Sequence, residues 1–150
     1  MKIRVIWLAI FIAALISGCN HSENESINQS QASLNSNIFL WGVSGISSYR
    51  YEYRRLCFCP PQENVVVVVE AGLVSEAFYT PSGIYLTKEQ LKRLLTIEGL
   101  FNVIQDAISS NVASLNVIYN TDYGYPERVA IDFVEAMADE EVTHVVTEFQ

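Results

Sequence analysis

The fold is decided by Ser48–Cys59, which reads SYRYEYRRLCFC, because two kinds of side chain alternate along it. The first set comprises Tyr49, Tyr51, Tyr53, Arg55, Cys57 and Cys59. The second set comprises Arg50, Glu52, Arg54, Leu56 and Phe58. Successive side chains of a strand point to opposite faces, so this pattern predicts a half-buried β-strand with its tyrosines on one face. Pro60 and Pro61 end the strand because proline has no N–H to donate to a neighbour.

A second strand follows directly, at the five consecutive valines Val65–Val69. Branched side chains on both faces are typical of a buried strand. Ala71-Gly72 predicts a tight turn, because glycine adopts positive φ at little cost. Leu73–Tyr79 then predicts an antiparallel strand that returns along the valines.

The middle of the chain is predicted to be helical. Thr87 and Gln90 have the spacing of a capping box and begin a short helix that includes Leu91, Leu94 and Leu95. Thr96 caps a second helix, whose apolar stripe is formed by Leu100, Phe101, Ile104, Ala107 and Ile108. Phe101 and Ile104 are therefore expected to be buried.

Three further strands are predicted at Leu115–Tyr119, Glu127–Phe133 and Glu141–Phe149, and residues 122–126 form the turn between the first two. Before the first strand, apolar residues at 34, 38 and 41 recur at helical spacing and predict a short helix that ends near Gly42 or Gly45. The resulting class is α+β: an antiparallel sheet of about six strands with helices packed on one face, in which a unit of a helix and three strands is used twice. Residues 37–150 form this single domain.

The first nineteen residues predict the signal of a bacterial lipoprotein. Lys2 and Arg4 precede the apolar run Val5–Ile16, and Ser17-Gly18-Cys19 completes the cleavage motif. The run is shorter than the ~20 residues of a spanning helix. We expect cleavage after residue 18 and attachment of a palmitate-type lipid to Cys19. An ordinary secretory signal and an uncleaved anchor are the alternatives, and the small residues before the cysteine favour lipidation.

Residues 19–36 are rich in Asn, Ser and Gln and predict a flexible tether between the lipidated Cys19 and the domain. The partner of this end of the chain is therefore a membrane, reached through the lipid. Asn20 follows the lipidated cysteine, which in a Gram-negative bacterium favours delivery to the periplasmic face of the outer membrane.

The charge of the chain excludes some classes of partner. Loss of Lys2 and Arg4 lowers the basic count from 9 to 7, against 17 acidic residues, and gives a formal net charge of −10. Nucleic acid requires clustered Lys and Arg, so it is not an expected partner. Electrostatic adhesion to anionic lipid is excluded for the same reason, which leaves the lipid as the means of attachment.

Cys57 and Cys59 are the pair of side chains that most suggests a chemical role. Two positions apart on a strand, their sulfur atoms share a face, but their Cα atoms would lie about 6.5–7 Å apart, at the limit for a disulfide. Closure therefore needs a bend at the strand end. A structural disulfide or two half-buried thiols is the favoured interpretation, and redox exchange or binding of a soft metal is the alternative.

Other candidate sites have a simpler interpretation. The acidic side chains Asp132, Glu135, Asp139, Glu140 and Glu141 could supply oxygen ligands to Ca²⁺, but their spacing is not that of an EF-hand, and a solvated loop is favoured. Glu98 and Asp106 are interpreted as helix surface charges.

The remaining candidates are His144, His21 and the tyrosines. His144 is interpreted as a packed strand residue, and His21 lies in the tether. The tyrosines at 49, 51, 53, 119, 123 and 125 either fill the core or form an aromatic binding surface, and the core is favoured. No catalytic residue, cofactor site or metal site is predicted.

An ordered series of short motifs resembles a known family. The series is Trp41, Tyr49-Arg50-Tyr51, Cys57-Phe58-Cys59, Gly72, residues 96–101 (TIEGLF), Gly124-Tyr125-Pro126, Ile131-Asp132 and Asp139-Glu140-Glu141. Over about Leu34 to Phe149 it resembles the bacterial family known as domain of unknown function 6174, whose members are small secreted or lipid-anchored envelope proteins. The resemblance implies a shared fold and export, and no reaction.

The sequence therefore predicts a lipid-anchored periplasmic or envelope protein that is a non-enzymatic binding module, with an envelope protein as a candidate partner. The alternative is a redox or metal-handling protein that uses Cys57 and Cys59. A hydrolase is disfavoured because no nucleophile–base pair can be named.

Overall fold

A computed structural model describes residues 21–60, 62–137 and 139–150. The predicted signal peptide of residues 1–18 and the predicted lipidation site, Cys19, lie outside these residues. The elements, in chain order, are α1 (His21–Ser44), β1 (Tyr49–Cys57), β2 (Asn64–Glu70), β3 (Leu73–Thr80), α2 (Lys88–Leu91), α3 (Ile97–Ser109), β4 (Ser114–Tyr119), β5 (Pro126–Asp132) and β6 (Val142–Thr147). The predicted strands and the α2 and α3 helices are all found.

The strands form one six-stranded sheet in the order β3-β2-β1-β6-β5-β4, and every neighbouring pair is antiparallel. Each half of the chain contributes one or two helices and a three-stranded meander. The two halves of the sheet are joined by the pairing of the first strand, β1, with the last strand, β6. The predicted α+β class and antiparallel sheet are confirmed.

The predicted alternation of side chains along β1 is confirmed at its three tyrosines. Tyr49, Tyr51 and Tyr53 are buried towards the helices, whereas Arg50 and Arg54 are exposed on the opposite face. Because β1 lies at the centre of the sheet, its tyrosines are packed between strands on both sides. They form part of the core and are not an exposed aromatic surface.

The valine run forms β2, in which Val65, Val66, Val67 and Val69 are buried. Ala71 and Gly72 have φ values of 49° and 78° and connect β2 to β3. Two successive residues at positive φ match the right-handed twist of a hairpin, so the predicted turn is confirmed.

Both predicted helix caps are present. Thr87 and Gln90 exchange side-chain and backbone bonds in a capping box at the start of α2. The side chain of Thr96 accepts from the N–H of Gly99 and caps α3. The predicted apolar stripe of α3 faces the sheet, with Phe101 and Ile104 only 4% and 1% exposed.

The prediction of a flexible tether is wrong for residues 21–36, which belong to helix α1. The side chains of Gln31 and Gln105 exchange two hydrogen bonds of 2.9 and 3.0 Å, and Leu34 is completely buried. These contacts with the rest of the domain fix a segment that has little hydrophobic periodicity of its own. The helix ends at Ser44, before Gly45, as predicted.

Helix α1 is polar along most of its length. Among the residues that the structure describes, no helix is long and apolar enough to cross a membrane.

Helix α1 lies directly against the turn between β4 and β5. A Cβ atom added to Gly124 would lie 2.6 Å from the carbonyl oxygen of Asn37 and 3.0 Å from the Cβ of Leu40. Such a distance to backbone is a steric clash, so the absence of a side chain at 124 is what allows the helix to approach.

Gly124→Ala and Gly72→Ala form a matched pair that tests this contact. Both glycines have a φ of 78°, but Gly72 has no other atom within 4 Å of its added Cβ. We expect Gly72→Ala to cost about 1–2 kcal/mol for the left-handed conformation. Gly124→Ala should cost about 1–3 kcal/mol more because of overpacking against α1. Denaturant unfolding measures both, and equal losses would show that α1 does not press on the turn.

A candidate ligand cleft beside the central strand

A cleft of about 570 Å³ lies between the helical face of β1–β3 and the segment 86–94, which contains α2. Its floor is a row of side chains across three strands, because Tyr53 is opposite Val65 and Val65 is opposite Tyr79. Leu86 and Leu94 form apolar parts of the opposite wall. The backbone N–H of Leu86 donates to the carbonyl of Ala77 at 2.9 Å and holds this wall against β3.

Two arginines line the cleft from different elements. Arg55 follows Tyr53 on the inward face of β1, and Arg93 lies just beyond α2. Neither guanidinium makes an ion pair or a hydrogen bond with any residue in the described part of the chain. Both side chains are exposed to solvent, and neither has an ion-pair partner among these residues.

The carboxylates close to the cleft are engaged elsewhere. Glu63 lines the cleft and accepts a hydrogen bond of 3.1 Å from the hydroxyl of Ser82. Glu89 forms a 2.8 Å ion pair with Lys92 on the exposed side of α2. Neither carboxylate is thus the partner of Arg55 or Arg93.

Tyr53 connects the cleft to the buried His144. A hydrogen bond of 2.7 Å joins the Tyr53 hydroxyl to Nδ1 of His144, which is only 8% exposed. Burial, and then the nearby charge of Arg55, lower the pKa of His144 to about 4. Burial raises the pKa of Tyr53 to about 12. At neutral pH both groups are therefore uncharged, and neither is a strong base or nucleophile. His144 is a packed strand residue, as predicted.

The cysteine pair lies where β1 ends. The sulfur atoms of Cys57 and Cys59 are at disulfide-bonding distance, and their Cα atoms are 5.2 Å apart. This is shorter than the extended-strand separation because the chain turns there: the N–H of Cys59 donates to the carbonyl of Cys57 at 2.8 Å. The connection that starts at this pair carries Gln62 and Glu63 into the cleft.

The acidic residues of the β5–β6 connection are not gathered into one cluster in the part of the chain that the structure describes. Across residues 21–60, 62–137 and 139–150, no group of three or more His, Cys, Asp and Glu side chains is placed to hold a metal ion. Glu140 accepts a 2.7 Å bond from the N–H of Val134, and Glu135 and Asp139 are exposed. Glu135 and Asp139 thus belong to a solvated loop, as predicted, whereas Asp132 at the end of β5 has one buried carboxylate oxygen, Oδ1, without a hydrogen-bond partner among the described residues.

Glu98 has a larger role than a surface charge. Its carboxylate accepts hydrogen bonds from the indole N–H of Trp41 at 2.8 Å and from the hydroxyl of Tyr49 at 3.3 Å. Helix α3 is thereby joined to α1 and β1.

An aromatic cluster packs beside Glu98 and consists of Trp41, Tyr49, Tyr125 and Phe149. The rings of Tyr125 and Phe149 are stacked with their centroids 4.3 Å apart. This cluster confirms the core interpretation of the buried tyrosines, while Tyr123 is exposed.

Sequence reasoning did not find the cleft. No recognisable spacing in the sequence connects the residues that line the cleft. Strand pairing and the α2 wall bring them together from separate parts of the chain: Tyr53, Arg55, Gln62, Gln90 and Arg93. The available signal was Arg55 itself, a charged residue in the inward set of an otherwise buried strand pattern.

The depressed pKa of His144 predicts a pH dependence of stability. The unfolded chain binds a proton at this residue near pH 6.5, whereas the folded protein does so only near pH 4. Stability should therefore be complete above pH 6.5 and fall as the pH is lowered towards 4, by on the order of 2–3 kcal/mol. In urea melts over this range His144→Asn should show a shallower loss of stability than the wild type. Equal slopes for His144→Asn and wild type would contradict the assignment.

The family model described as a family of unknown function, DUF6174, matches residues 33–150. No curated protein and no solved structure matches the chain significantly. The matched region begins within α1 and contains the whole sheet, α2, α3 and the cleft. The resemblance predicted from Trp41 and the motifs that follow it is thus confirmed, and the chain belongs to the DUF6174 family.

Proposed function

We propose that this protein is a lipid-anchored protein of the cell envelope that acts as a non-enzymatic binding module and holds its ligand in the cleft beside β1. The observation that carries the proposal is the combination of an apolar floor with two guanidinium groups that have no partner among the described residues. The cleft's volume of about 570 Å³ lies within the range of about 300–1,000 Å³ that is typical of small-molecule sites.

The neutral state of the groups beside the cleft supports binding over catalysis. A histidine with a pKa of about 4 is a weak base, and a tyrosine with a pKa of about 12 is a poor nucleophile near pH 7. Their hydrogen bond instead restrains the Tyr53 ring, which is part of the floor of the cleft. The pair therefore supports a preformed site better than a reaction.

The lipid anchor is supported by the signal pattern that ends at Cys19. In a Gram-negative source, Asn20 at the next position favours the periplasmic face of the outer membrane. The alternative redox function rests on the solvent exposure of Cys59. The place of Cys57 and Cys59 at the start of the connection that carries Gln62 and Glu63 favours a structural role in shaping the cleft.

The anchor is tested by Cys19→Ser. We expect the wild type to appear in the membrane fraction with an N-terminal diacylglycerol cysteine, and the variant to lose all acyl mass, because the thiol is the attachment point. Intact-mass spectrometry of detergent-extracted protein measures this. A wild-type mature form that begins at another residue, or that lacks acyl mass, would contradict the proposal.

The ligand site is tested by a matched pair of tryptophan substitutions. Leu86 lines the cleft, whereas Leu73 lies exposed at the start of β3. Leu86→Trp should fill the cleft and exclude the ligand, and Leu73→Trp should leave it bound. The full chain is purified from envelope membranes, denatured, and the released small molecules are identified by mass spectrometry.

The expected result is at least one compound that wild type and Leu73→Trp retain and Leu86→Trp loses. Thermal melts check that both variants are folded. The same small-molecule content in all three proteins would show that the cleft is not the binding site.

A further inference from the structure

We infer that the ligand of the cleft is a small molecule with a carboxylate-type anionic head and an apolar, preferentially aromatic, body. This inference rests on the proposed function, because it names the ligand class of the same site. The contacts that recognise the head are assigned to Arg55 and Arg93.

The charge distribution favours an anion. The chain has 17 acidic residues, and Lys2 and Arg4 of the leader account for two of its 9 basic ones. Two of the remaining basic residues nevertheless line one cleft, on opposite walls. Glu89 is paired with Lys92, whereas Glu63 lines the same cleft and keeps its negative charge, because its partner Ser82 is neutral. The lining therefore carries two positive charges and one negative charge, and its net positive charge favours an anionic ligand over a cationic one.

The geometry of the arginine side chain favours a planar head group. Guanidinium donors form a fork that matches the two oxygens of a carboxylate, with charge-assisted bonds about twice as strong as neutral ones. Gln62 adds a neutral amide to the lining. The Tyr79 hydroxyl accepts a bond of 3.4 Å from Gln90, which leaves its proton available to a ligand oxygen.

The floor favours an apolar body. The rings of Tyr53 and Tyr79 flank Val65 in one row, with Leu86 and Leu94 on the opposite wall. The hydrogen bond to His144 restrains the Tyr53 ring, so this surface is preorganised. A flat hydrocarbon or aromatic group can therefore lie on the row while its head reaches the arginines.

The experiment uses three probes of nearly identical shape: benzoate, benzamide and benzamidine, which carry a negative, zero and positive charge. Binding to the full chain in nonionic detergent is measured by saturation-transfer NMR and titration, with protein-free micelles as a blank. Arg55→Gln is compared with Arg54→Gln, because these neighbours on β1 lie on opposite faces and both changes remove one charge. Arg93→Gln is compared with Lys92→Gln in the same way.

We expect benzoate to bind most tightly, benzamide more weakly and benzamidine not at all. Benzoate affinity should fall by about tenfold in Arg55→Gln and in Arg93→Gln, the loss of one charge-assisted contact, and should be unchanged in Arg54→Gln and Lys92→Gln. Because the two arginines belong to different elements, misfolding of one variant leaves the other as a test.

Other results would overturn the inference in distinguishable ways. Equal binding of benzoate and benzamide, lost in Leu86→Trp, would leave the cleft as a ligand site and remove the anionic head. Equal losses in Arg54→Gln and Arg55→Gln would assign the effect to net charge and not to the cleft. Failure of all three probes at millimolar concentration would overturn the ligand class, while the comparison of small molecules retained by wild type and by Leu86→Trp decides the binding function separately.

Discussion

The structure depends on the alternation of side chains along β1. This strand is bonded to β2 on one edge and to β6 on the other, so its register is shared by both halves of the sheet. A shift of one residue would carry Tyr49, Tyr51 and Tyr53 to the open face and bring Arg50 and Arg54 beneath the helices. Burial of three tyrosines is therefore what fixes the pairing. The same alternation carries Arg55 inward at the point where the helical cover ends, so the core pattern itself places a charge in the cleft.

The hydroxyl groups of Tyr49 and Tyr51 bond the helical layer to β1. The Tyr49 hydroxyl accepts a bond of 2.8 Å from the N–H of Ile97, and the Tyr51 hydroxyl donates to the carbonyl of Leu95. The first N–H groups of a helix lack partners within it, and a strand side chain supplies one here. Burial raises the pKa of both tyrosines, which keeps the hydroxyl protons in place. Phenylalanine at these positions would fill the same volume without orienting α3.

Local chemistry explains which parts of this fold the sequence could predict. The strands, the Ala71-Gly72 turn and the caps at Thr87 and Thr96 each depend on a few neighbouring residues, and all are found. The first half of α1 was not predictable in this way, because Gln31 is held by Gln105, 74 residues away. The cleft has the same origin. Arg55 and Arg93 become a candidate binding pair only because the fold brings them to one cleft and because nearby carboxylates bond to other groups. Neither cause produces a recognisable spacing in the sequence.

Helix α1 changes what a lipid at Cys19 would do to the domain. Over its described length, His21–Ser44, the helix spans about 36 Å at 1.5 Å per residue. Cys19 is two positions before His21 in the sequence, so the Cα atoms of these two residues can be at most about 7 Å apart. An anchor so close to the helix would limit how far the domain can move from the bilayer. The mouth of the cleft would then stay within about one domain length of the membrane, and molecules diffusing along the surface and molecules arriving from the bulk would have unequal access to it.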